Sequence, residues 1–372
     1  MKQVGIVGLG AMGLGIAQVF AQAGVAVIAT DQQSETRGAA LARLRAALEA
    51  RVSAGKLAQS AVEETLSHLT ITEGLGGFAK AGLIVEAVIE DQGIKQTLFR
   101  ALEAVTGADT ILATNTSALS VGALALGLAR PDRLLGLHFF NPAPVMRLVE
   151  LVAHPGTASG ALAEVRALAE RAGKTVIQCA DRPGFVVNRC ARPFYGEALA
   201  MLEEGRSASD IDAAMLAAGY RIGPFSLIDL VGADINLAAT EGLARAMNHH
   251  PRYHLFQALR DQVAKGDLGR KTGRGFLFPD LPGPTPADAP AIRLRIEAAL
   301  ANEAASLLAE GSISADDIDT ALKLGLNFPR GPFESARLLG LSAIQAELSR
   351  LATAAPAHLT GRYRPSPALT AL

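Results

Sequence analysis

The stretch Val4-Gly5-Ile6-Val7-Gly8-Leu9-Gly10-Ala11-Met12-Gly13 decides the fold of the first part of this chain. It begins as a short apolar run, typical of a buried parallel strand, and passes into a glycine-rich turn. Residues 14–21 are helical in character, and the β-rich run Val25 to Thr30 ends at Asp31. Strand, turn, helix, strand and acid in this order predict the first unit of a dinucleotide-binding fold.

Each glycine of the turn has a physical task. Gly8 allows the tight turn out of the strand, Gly10 lets the backbone approach a pyrophosphate, and Gly13 lets helix and strand pack closely. The pyrophosphate is expected on the helix N-terminus, and the Asp31 carboxylate on the ribose hydroxyls. A carboxylate there repels a 2′-phosphate, which favours NAD over NADP. The predicted contacts are Gly8, Gly10, Ala11, Met12, Gly13 and Asp31.

Composition bounds the remaining possibilities. The 372 residues are 49% hydrophobic and 19% charged, so two or three folded domains are expected and a disordered or fibrous chain is excluded. A net charge of −1 gives no basic footprint for nucleic acid or membrane lipid. Cys179 and Cys190 cannot form a disulfide framework. With no leader or membrane span in the sequence, we expect a cytoplasmic protein.

Three chemically useful side chains follow apolar runs in the first half of the chain. Glu90 follows the run 81–89, Ser117 follows 110–114, and His138 follows 134–137. In an open parallel sheet the ligand crevice lies outside the carboxyl ends of the strands. We therefore expect these side chains to converge on the cofactor.

The second half reads as mainly helical and contains an internal repeat. The segment Glu197–Gly232 resembles Glu303–Gly340, and Arg252-Tyr253 resembles Arg362-Tyr363. A proline-rich linker, Asp280–Pro290, joins the two copies. We expect the second copy to pack against the first, because a short linker gives it a high effective concentration there.

The two copies are unequal. Asn188, just upstream of the first copy, aligns with Leu294 in the second. The basic run Gly269–Phe276 has no counterpart before the chain ends. The first copy is therefore interpreted as functional and the second as structural, with one NAD site per chain.

On these motifs the chain resembles the 3-hydroxyacyl-CoA dehydrogenases, including the 3-hydroxybutyryl-CoA dehydrogenases. The matching stretches are residues 8–17, 83–95, 115–117, 136–150, 183–189, 223–225 and 269–276, and the longest of them contains the specific run His138 to Glu150. The resemblance implies an α/β Rossmann-like NAD-binding domain followed by all-α domains of the 6-phosphogluconate dehydrogenase C-terminal type, here duplicated. The expected domains are 1–182, 183–280 and a truncated second copy, 291–372.

The resemblance also implies roles for individual residues. His138 would be the catalytic acid/base with Glu150 as its partner, and Ser117 and Asn188 would hold the reacting substrate oxygen. Lys56 is a candidate CoA contact, although the serine that accompanies it in the family has no clear counterpart near Leu48. Further positions that match the family near NAD are Glu90, Lys95, Ser117, Asn141 and Lys271.

The chemistry is consistent with these roles. A neutral imidazole suits removal of a hydroxyl proton near pH 7, and a carboxylate on its other nitrogen fixes the tautomer. The expected reaction is NAD-dependent oxidation of an (S)-3-hydroxyacyl-CoA to the 3-oxoacyl-CoA, and its reverse. No metal is expected. The histidines His249, His250 and His254 are interpreted as part of an exposed loop, because no strong cysteine or carboxylate pattern accompanies them and Pro251 interrupts the helix spacing.

Two alternatives stay open at this point. One is an NAD-dependent dehydrogenase of a small free hydroxy acid, of the sugar-acid or carnitine type. The other is a non-catalytic NAD-binding protein. The expected partner is an acyl-CoA substrate, without nucleic acid or membrane, and a homodimer is weakly favoured because the fold commonly forms one.

Overall fold

The computed structural model describes residues 1 and 3–371 and divides into two units, Met1–Phe185 and Val186–Leu372. Within the described residues the first unit holds an eight-stranded sheet. Its strands are β1 (Gln3–Val7), β2 (Ala26–Thr30), β3 (Leu69–Ile71), β4 (Leu83–Glu86), β5 (Ile111–Thr114), β6 (Leu134–Phe139), β7 (Leu148–Ala153) and β8 (Thr175–Ala180).

The order of the strands is β3-β2-β1-β4-β5-β6-β7-β8. All neighbouring strands are parallel except β6 and β7, which are antiparallel. The chain leaves β1 on one side for β2 and β3 and returns on the other side with β4, so the order reverses between β1 and β4. That reversal is the topological switch point, where a doubly wound sheet binds its nucleotide.

Helices connect the strands of the first unit. They are α1 (Ala11–Gln22), α2 (Ser34–Ser53), α3 (Ser60–Ser67), α4 (Gln92–Val105), α5 (Val121–Ala125) and α6 (Ser159–Arg171). Asp91 caps α4 by accepting a hydrogen bond from the Ile94 amide at 2.8 Å. One continuous core of apolar residues from the strands and from α1, α2, α3 and α6 holds these layers together.

Two strand boundaries differ from the sequence prediction. Strand β4 ends at Glu86, so Glu90 lies in a loop four residues further on. Strand β6 continues to Phe139, so His138 lies inside a strand and does not follow one. Strands β3 and β8 were not predicted, because a three-residue run and a partly polar run give weak periodic signals.

The second unit is helical in its described residues. Its helices are α7 (Val187–Cys190), α8 (Arg192–Glu203), α9 (Ala208–Ala217), α10 (Pro224–Val231), α11 (Ala233–Ala246), α12 (Gln257–Ala264), α13 (Ala289–Leu308), α14 (Ala315–Leu326), α15 (Pro332–Leu339) and α16 (Leu341–Ala354). The helices α8 to α11 of the first copy correspond to α13 to α16 of the second. Short 3₁₀ turns in the two units cover Gly76–Lys80, Pro131–Arg133, Pro251–Tyr253, Arg270–Thr272, Ala357–Leu359 and Pro367–Ala371.

The repeat is visible in matching local contacts. Asp212 accepts hydrogen bonds from the amides of Phe225 and Ser226 at 2.9 and 2.8 Å, at the start of α10. Asp319 does the same for Phe333 and Glu334 at the start of α15, at 2.8 and 3.0 Å. In both copies, therefore, an aspartate carboxylate accepts hydrogen bonds from amides at the start of the third helix.

The two copies exchange ionic partners across their contact. In the first cluster, Glu197 of α8 accepts from Arg295 at 2.9 Å, from Arg362 at 2.8 Å and from the hydroxyl of Tyr363 at 3.0 Å. Each of these three donors belongs to the second copy. The carboxylate is buried at 1% exposure, so its charge is neutralised by residues from the other copy.

The second cluster is the reciprocal of the first. Glu303 of α13 accepts from Arg189 at 2.7 Å and from the Tyr253 hydroxyl at 2.6 Å, and Arg252 lies 3.5 Å away. These residues align in the repeat with Arg295, Tyr363 and Arg362 of the first cluster. The two copies are thus joined by a pair of equivalent, mutually exchanged ion clusters, as in a two-fold interface between two chains.

None of the helices in the described residues combines the length and the apolar character that a membrane crossing requires.

Candidate active site

The glycine-rich turn joins β1 to α1 at the switch point of the sheet. Gly8 has φ of +97°, which L side chains rarely adopt, and a Cβ on it would lie 2.5 Å from the carbonyl oxygen of Ala87. A Cβ on Gly13 would lie 1.8 Å from the carbonyl oxygen of Gly8, whereas a Cβ on Gly10 would meet nothing within 4 Å. The turn thus needs Gly8 and Gly13 for its own packing, and it leaves open space beside Gly10.

The N-terminus of α1 fits an anionic group. Gly10 caps the helix with no side-chain hydrogen bond, and no acidic residue lies in the first turn. The first amides of an α-helix, here including those of Ala11 and Met12, have no partner within the helix. Open space at Gly10 and these amides fit the pyrophosphate of a dinucleotide.

Asp31 lies at the end of β2, beside the same turn. Its carboxylate accepts hydrogen bonds from the Leu9 amide at 2.7 Å and from the Gln33 amide at 2.9 Å. Arg43 donates to the carbonyl oxygen of Leu9 at 3.0 Å, so both polar groups of Leu9 are held by side chains. A carboxylate has about four lone-pair positions, and two amides leave it capacity for ribose hydroxyls.

His138 and Glu150 form a buried pair near the carboxyl end of β6. In the antiparallel register of β6 and β7 these two residues lie directly opposite each other. Nδ1 of His138 is 2.7 Å from Oε2 of Glu150, and the residues are 6% and 0% exposed. The rings of Phe140 and Phe185 lie against the imidazole, with centroids 4.6 and 5.9 Å away.

This geometry gives the two ring nitrogens different tasks. Nδ1 is engaged by the carboxylate, which favours the tautomer with its proton on Nδ1 and stabilises a charged imidazolium. Nε2 is then the nitrogen that can take a proton from a substrate or return it. The pair therefore has the arrangement of an acid/base group and its orienting carboxylate.

Ser117 lies in the turn after β5, and its backbone is held from the neighbouring loop. The Ser117 amide donates to Oε1 of Glu90 at 3.2 Å, and the hydroxyl of Thr116 donates to the same oxygen. Oε2 of Glu90 is 3.2 Å from the ammonium of Lys95, which is itself buried at 1% exposure. The structure thus brings three of the predicted residues, Glu90, Lys95 and Ser117, into one network.

Sequence reasoning missed Glu86, the deepest member of this network. Its carboxylate is fully buried, 2.6 Å from the Lys95 ammonium and 2.7 Å from the Thr114 hydroxyl. The sequence does indicate a buried carboxylate at this position, since Glu86 is a charged residue inside the apolar run Leu83 to Val88. A carboxylate in such a run requires a buried partner.

Asn141 is exposed in the loop that joins β6 to β7. Lys174 holds this loop by donating to the carbonyl oxygens of Ala143 and Met146 at 2.6 and 2.8 Å. Burial lowers the pKa of Lys174 to about 8. The sequence does not indicate this role for Lys174, because its neighbours in the chain do not distinguish it from a surface lysine that ends a helix.

Lys56 is exposed in the connection between α2 and α3. Asn188 and Lys271 belong to the second unit. Asn188 lies in the short helix α7, and its carbonyl oxygen accepts from Arg192 at 3.1 Å. Lys271 pairs with Asp234 at 2.6 Å in a loop that the sequence marked as basic.

Asp229 holds the basic loop of the first copy in place. Its carboxylate accepts from the amides of residues 276, 277 and 278 at 2.8 to 2.9 Å. A Cβ on Gly275 would lie 2.0 Å from that carboxylate, so the loop fits closely around it. The aligned position of the second copy is Arg337, which cannot accept these hydrogen bonds.

A glycine-rich turn at the switch point, an acid after β2 and a buried histidine–carboxylate pair at the same sheet edge define a dinucleotide-dependent dehydrogenase. Comparison with known proteins identifies the family. The family described as 3-hydroxyacyl-CoA dehydrogenase, NAD binding domain, matches residues 3–182. The corresponding C-terminal domain family matches residues 184–278 and 292–372. The chain belongs to the 3-hydroxyacyl-CoA dehydrogenase family, whose members are NAD-dependent oxidoreductases.

Individual relatives agree with this assignment. The chain is 40% identical over 277 residues to the 3-hydroxyadipyl-CoA dehydrogenase of Escherichia coli, covering 74% of this chain and 58% of that protein. It is 39% identical over 280 residues to a 3-hydroxybutyryl-CoA dehydrogenase of Mycobacterium tuberculosis, covering 74% of this chain and 98% of the relative.

The crystal structure of a 3-hydroxybutyryl-CoA dehydrogenase from Escherichia coli matches this chain over its full length. It covers 100% of this chain and 98% of the other, with a TM-score of 0.92 and 31% identity. The expectations of a Rossmann-like domain followed by a helical domain, of NAD as cofactor and of an oxidoreductase are confirmed.

Proposed function

We propose that this chain interconverts (S)-3-hydroxyacyl-CoA and 3-oxoacyl-CoA with NAD, using His138 as acid/base. The relatives support the substrate class, because they are named as dehydrogenases of 3-hydroxybutyryl-CoA and 3-hydroxyadipyl-CoA. The observation that carries the mechanism is the buried contact of 2.7 Å between His138 and Glu150.

In the oxidative direction, Nε2 of His138 removes the hydroxyl proton of the substrate. Glu150 stabilises the imidazolium that forms, because its carboxylate lies on the opposite ring nitrogen in a site screened from water. In the reverse direction the same nitrogen returns the proton to the developing alkoxide. A buried carboxylate is more effective here than an exposed one, since little solvent screens the pair.

Ser117 and Asn188 would donate hydrogen bonds to the reacting oxygen and stabilise the charge that develops on it. Bound NAD would supply the hydride acceptor at this site. The residues proposed to hold it are Gly8, Gly10, Ala11, Met12, Gly13, Asp31, Glu90, Lys95, Ser117, Asn141 and Lys271. Lys56, exposed and basic, is the proposed contact for the CoA moiety.

The substrate assignment is tested by following NADH oxidation with acetoacetyl-CoA and, in parallel, with free acetoacetate. We expect turnover of the thioester and little turnover of the free acid. Preferential turnover of the free acid would overturn the CoA-ester assignment in favour of a hydroxy-acid dehydrogenase. NADH binding without turnover of any 3-oxo compound would identify a non-catalytic protein.

The role of His138 is tested by His138→Gln, which should lower kcat by roughly 10²–10⁴-fold at nearly unchanged NADH affinity. Glu150→Gln should lower kcat too, because the imidazolium loses its countercharge. His154→Gln is a matched control, since His154 is a buried histidine after β7 that contacts the Pro131 carbonyl at 3.0 Å. Wild-type kcat in His138→Gln would refute the mechanism.

We keep two further expectations within this proposal. The protein is expected to act in the cytoplasm, which agrees with Cys179 and Cys190 being buried free thiols. The second expectation is that two chains form a homodimer. Sedimentation equilibrium of the full-length protein measures this, and a monomer would contradict it.

A further inference from the structure

Glu86 is a fully buried carboxylate at the end of the central strand β4. It receives hydrogen bonds from three different segments of the first unit. Oε1 accepts from the Val88 amide at 2.7 Å and from the Lys95 ammonium at 2.6 Å, and Oε2 accepts from the Thr114 hydroxyl at 2.7 Å. The roles proposed above do not use this carboxylate.

Lys95 connects this buried carboxylate to a second one. Its ammonium is 2.6 Å from Glu86 and 3.2 Å from Glu90, and at 1% exposure it is shielded from solvent. Glu90 in turn accepts from the Ser117 amide and the Thr116 hydroxyl. A continuous chain of contacts therefore runs from Glu86 through Lys95 and Glu90 to Ser117.

The backbone around Glu86 reaches the other parts of the site. The Asn115 amide donates to the Glu86 carbonyl oxygen at 2.9 Å, and the Asn115 side chain accepts from the Phe139 amide at 2.8 Å. Phe139 is the neighbour of His138 in β6. On the other side, Ala87 lies against Gly8 of the glycine-rich turn. Glu86 thus sits where the segments of the cofactor turn, of Ser117 and of His138 meet.

We propose that Glu86 is a positioning residue for the reaction centre: its carboxylate fixes the Lys95 ammonium, and the ammonium fixes Glu90 against the turn that carries Ser117. The residue acts through others and does not touch the substrate. This inference rests on the proposed function for its kinetic consequence, whereas the ordering of the Ser117 turn is independent of any reaction.

The charges explain why Glu86 matters. The network holds two carboxylates and one ammonium, and the ammonium is shared between the carboxylates. Glu86→Gln keeps the shape and an acceptor for the Val88 amide, but it removes one negative charge. Lys95 then interacts more strongly with Glu90 and draws its carboxylate away from Thr116 and Ser117. A displacement of about 1 Å at a reacting group lowers a rate by about a hundredfold.

Glu103 provides a matched control on the same helix as Lys95. It accepts from the amides of Ala129 and Arg130 at 2.8 and 2.9 Å and lies 3.3 Å from Arg133. These contacts precede β6, at the amino edge of the sheet, away from Ser117. Glu103→Gln therefore removes a similarly bonded carboxylate without affecting the network around Glu86.

The kinetic experiment compares Glu86→Gln, Lys95→Met, their double variant and Glu103→Gln in the full-length enzyme with NADH and acetoacetyl-CoA. We expect Glu86→Gln to lower kcat by about tenfold to a hundredfold and to weaken NADH binding in fluorescence titration as well, because Glu90, Lys95 and Ser117 are also proposed to hold NAD. The double variant should resemble the more affected single variant, since both act through one chain of contacts. Glu103→Gln should keep the wild-type kcat.

Three results would overturn the proposal: a wild-type kcat in Glu86→Gln, multiplication of the two single effects in the double variant, or an equal loss in Glu103→Gln. If Glu86→Gln does not fold, Thr114→Val replaces it, because it removes one donor to the same carboxylate; an unchanged kcat there is equally contradictory.

Hydrogen exchange separates this inference from the proposed function. Amides of residues 114–119 should exchange faster in Glu86→Gln than in the wild type and Glu103→Gln. Faster exchange with a wild type that turns over no thioester would refute the proposed substrate and leave the positioning of the turn intact. Unchanged exchange would refute the positioning.

Discussion

Two glycines of the cofactor turn should respond in opposite ways to a single methyl group. At Gly10 a Cβ meets nothing within 4 Å, and the backbone, with φ of −62° and ψ of −169°, is one that alanine adopts freely. At Gly13 a Cβ would lie 1.8 Å from the Gly8 carbonyl oxygen, a distance that forces the backbone to move. Gly10→Ala therefore tests ligand binding and Gly13→Ala tests folding of the turn.

The expected magnitudes follow from these distances. Gly10→Ala should raise the free energy of unfolding by less than about 1 kcal/mol, so that the variant is slightly more stable. Its methyl group would project into the open space beside Gly10, where we propose that the pyrophosphate binds. Loss of one charge-assisted hydrogen bond, about 1.5–3 kcal/mol, weakens NADH binding by about tenfold to about 150-fold. Gly13→Ala should destabilise the first unit by about 1–3 kcal/mol or more.

The assay combines thermal unfolding with NADH fluorescence titration of each variant. Gly38→Ala serves as the control, because Gly38 lies in α2 with nothing within 4 Å of its Cβ and outside the turn. It should leave NADH affinity close to wild type and raise the free energy of unfolding by up to about 1 kcal/mol, because alanine is favoured over glycine inside a helix. Wild-type NADH affinity in Gly10→Ala would refute the placement of the pyrophosphate at this turn.

The remaining predictions concern cofactor choice, the helical unit and stoichiometry. Asp31→Ala should narrow the preference for NADH over NADPH, measured as the ratio of kcat/KM values, because the repulsion of a 2′-phosphate is lost; an unchanged ratio contradicts this. Glu197→Gln and Glu303→Gln should each destabilise the helical unit by about 3–5 kcal/mol in urea unfolding, because each leaves buried arginines without their countercharge. Calorimetry should give one NADH per chain, and two would show that the second copy is not merely structural.

The stability of the helical unit should also depend on pH. Burial acts to raise the pKa of Glu197, but Arg362 and Arg295 outweigh it and bring the pKa below its usual value. A carboxyl group whose folded pKa is lowered stabilises the fold above its ordinary pKa and loses this contribution as the pH falls through the lowered value. Urea unfolding below pH 4.5 should therefore show a loss of stability that is smaller in Glu197→Gln. An equal loss in both proteins would contradict the cause.

Local sequence signals predicted the elements that depend on local backbone geometry. The sequence predicts the turn at Gly8 to Gly13 because each glycine meets a separate steric demand, and the short Cβ distances at Gly8 and Gly13 and the open space at Gly10 agree with those demands. The boundaries of β4 and β6 were less predictable. An apolar run does not reveal where pairing with a neighbouring strand ends, because that depends on residues distant in the sequence.

The sequence alone indicates only some of the residues of the candidate site. His138 and Glu150 were singled out, but their contact follows from the antiparallel register of β6 and β7, which pairs residues twelve positions apart. Glu86 and Lys174 were missed, because whether a charged side chain is buried depends on what packs over it. Lysine is usually exposed to solvent. In this fold Lys95 is buried, and its ammonium joins the carboxylates of Glu86 and Glu90.

The sequence by itself determined the class of nucleotide site, the order of the two units and the presence of a helical repeat, since these follow from short motifs and internal similarity. The tertiary structure alone decided that Glu197 and Glu303 take their partners from the opposite copy. It also decided that Glu86, Lys95 and Glu90 share one network and that Nδ1 of His138 faces Glu150. The physical reason is that a buried charge is stabilised by whichever opposite charge the fold brings within about 3 Å, and that distance is set by the packing of segments far apart in the chain.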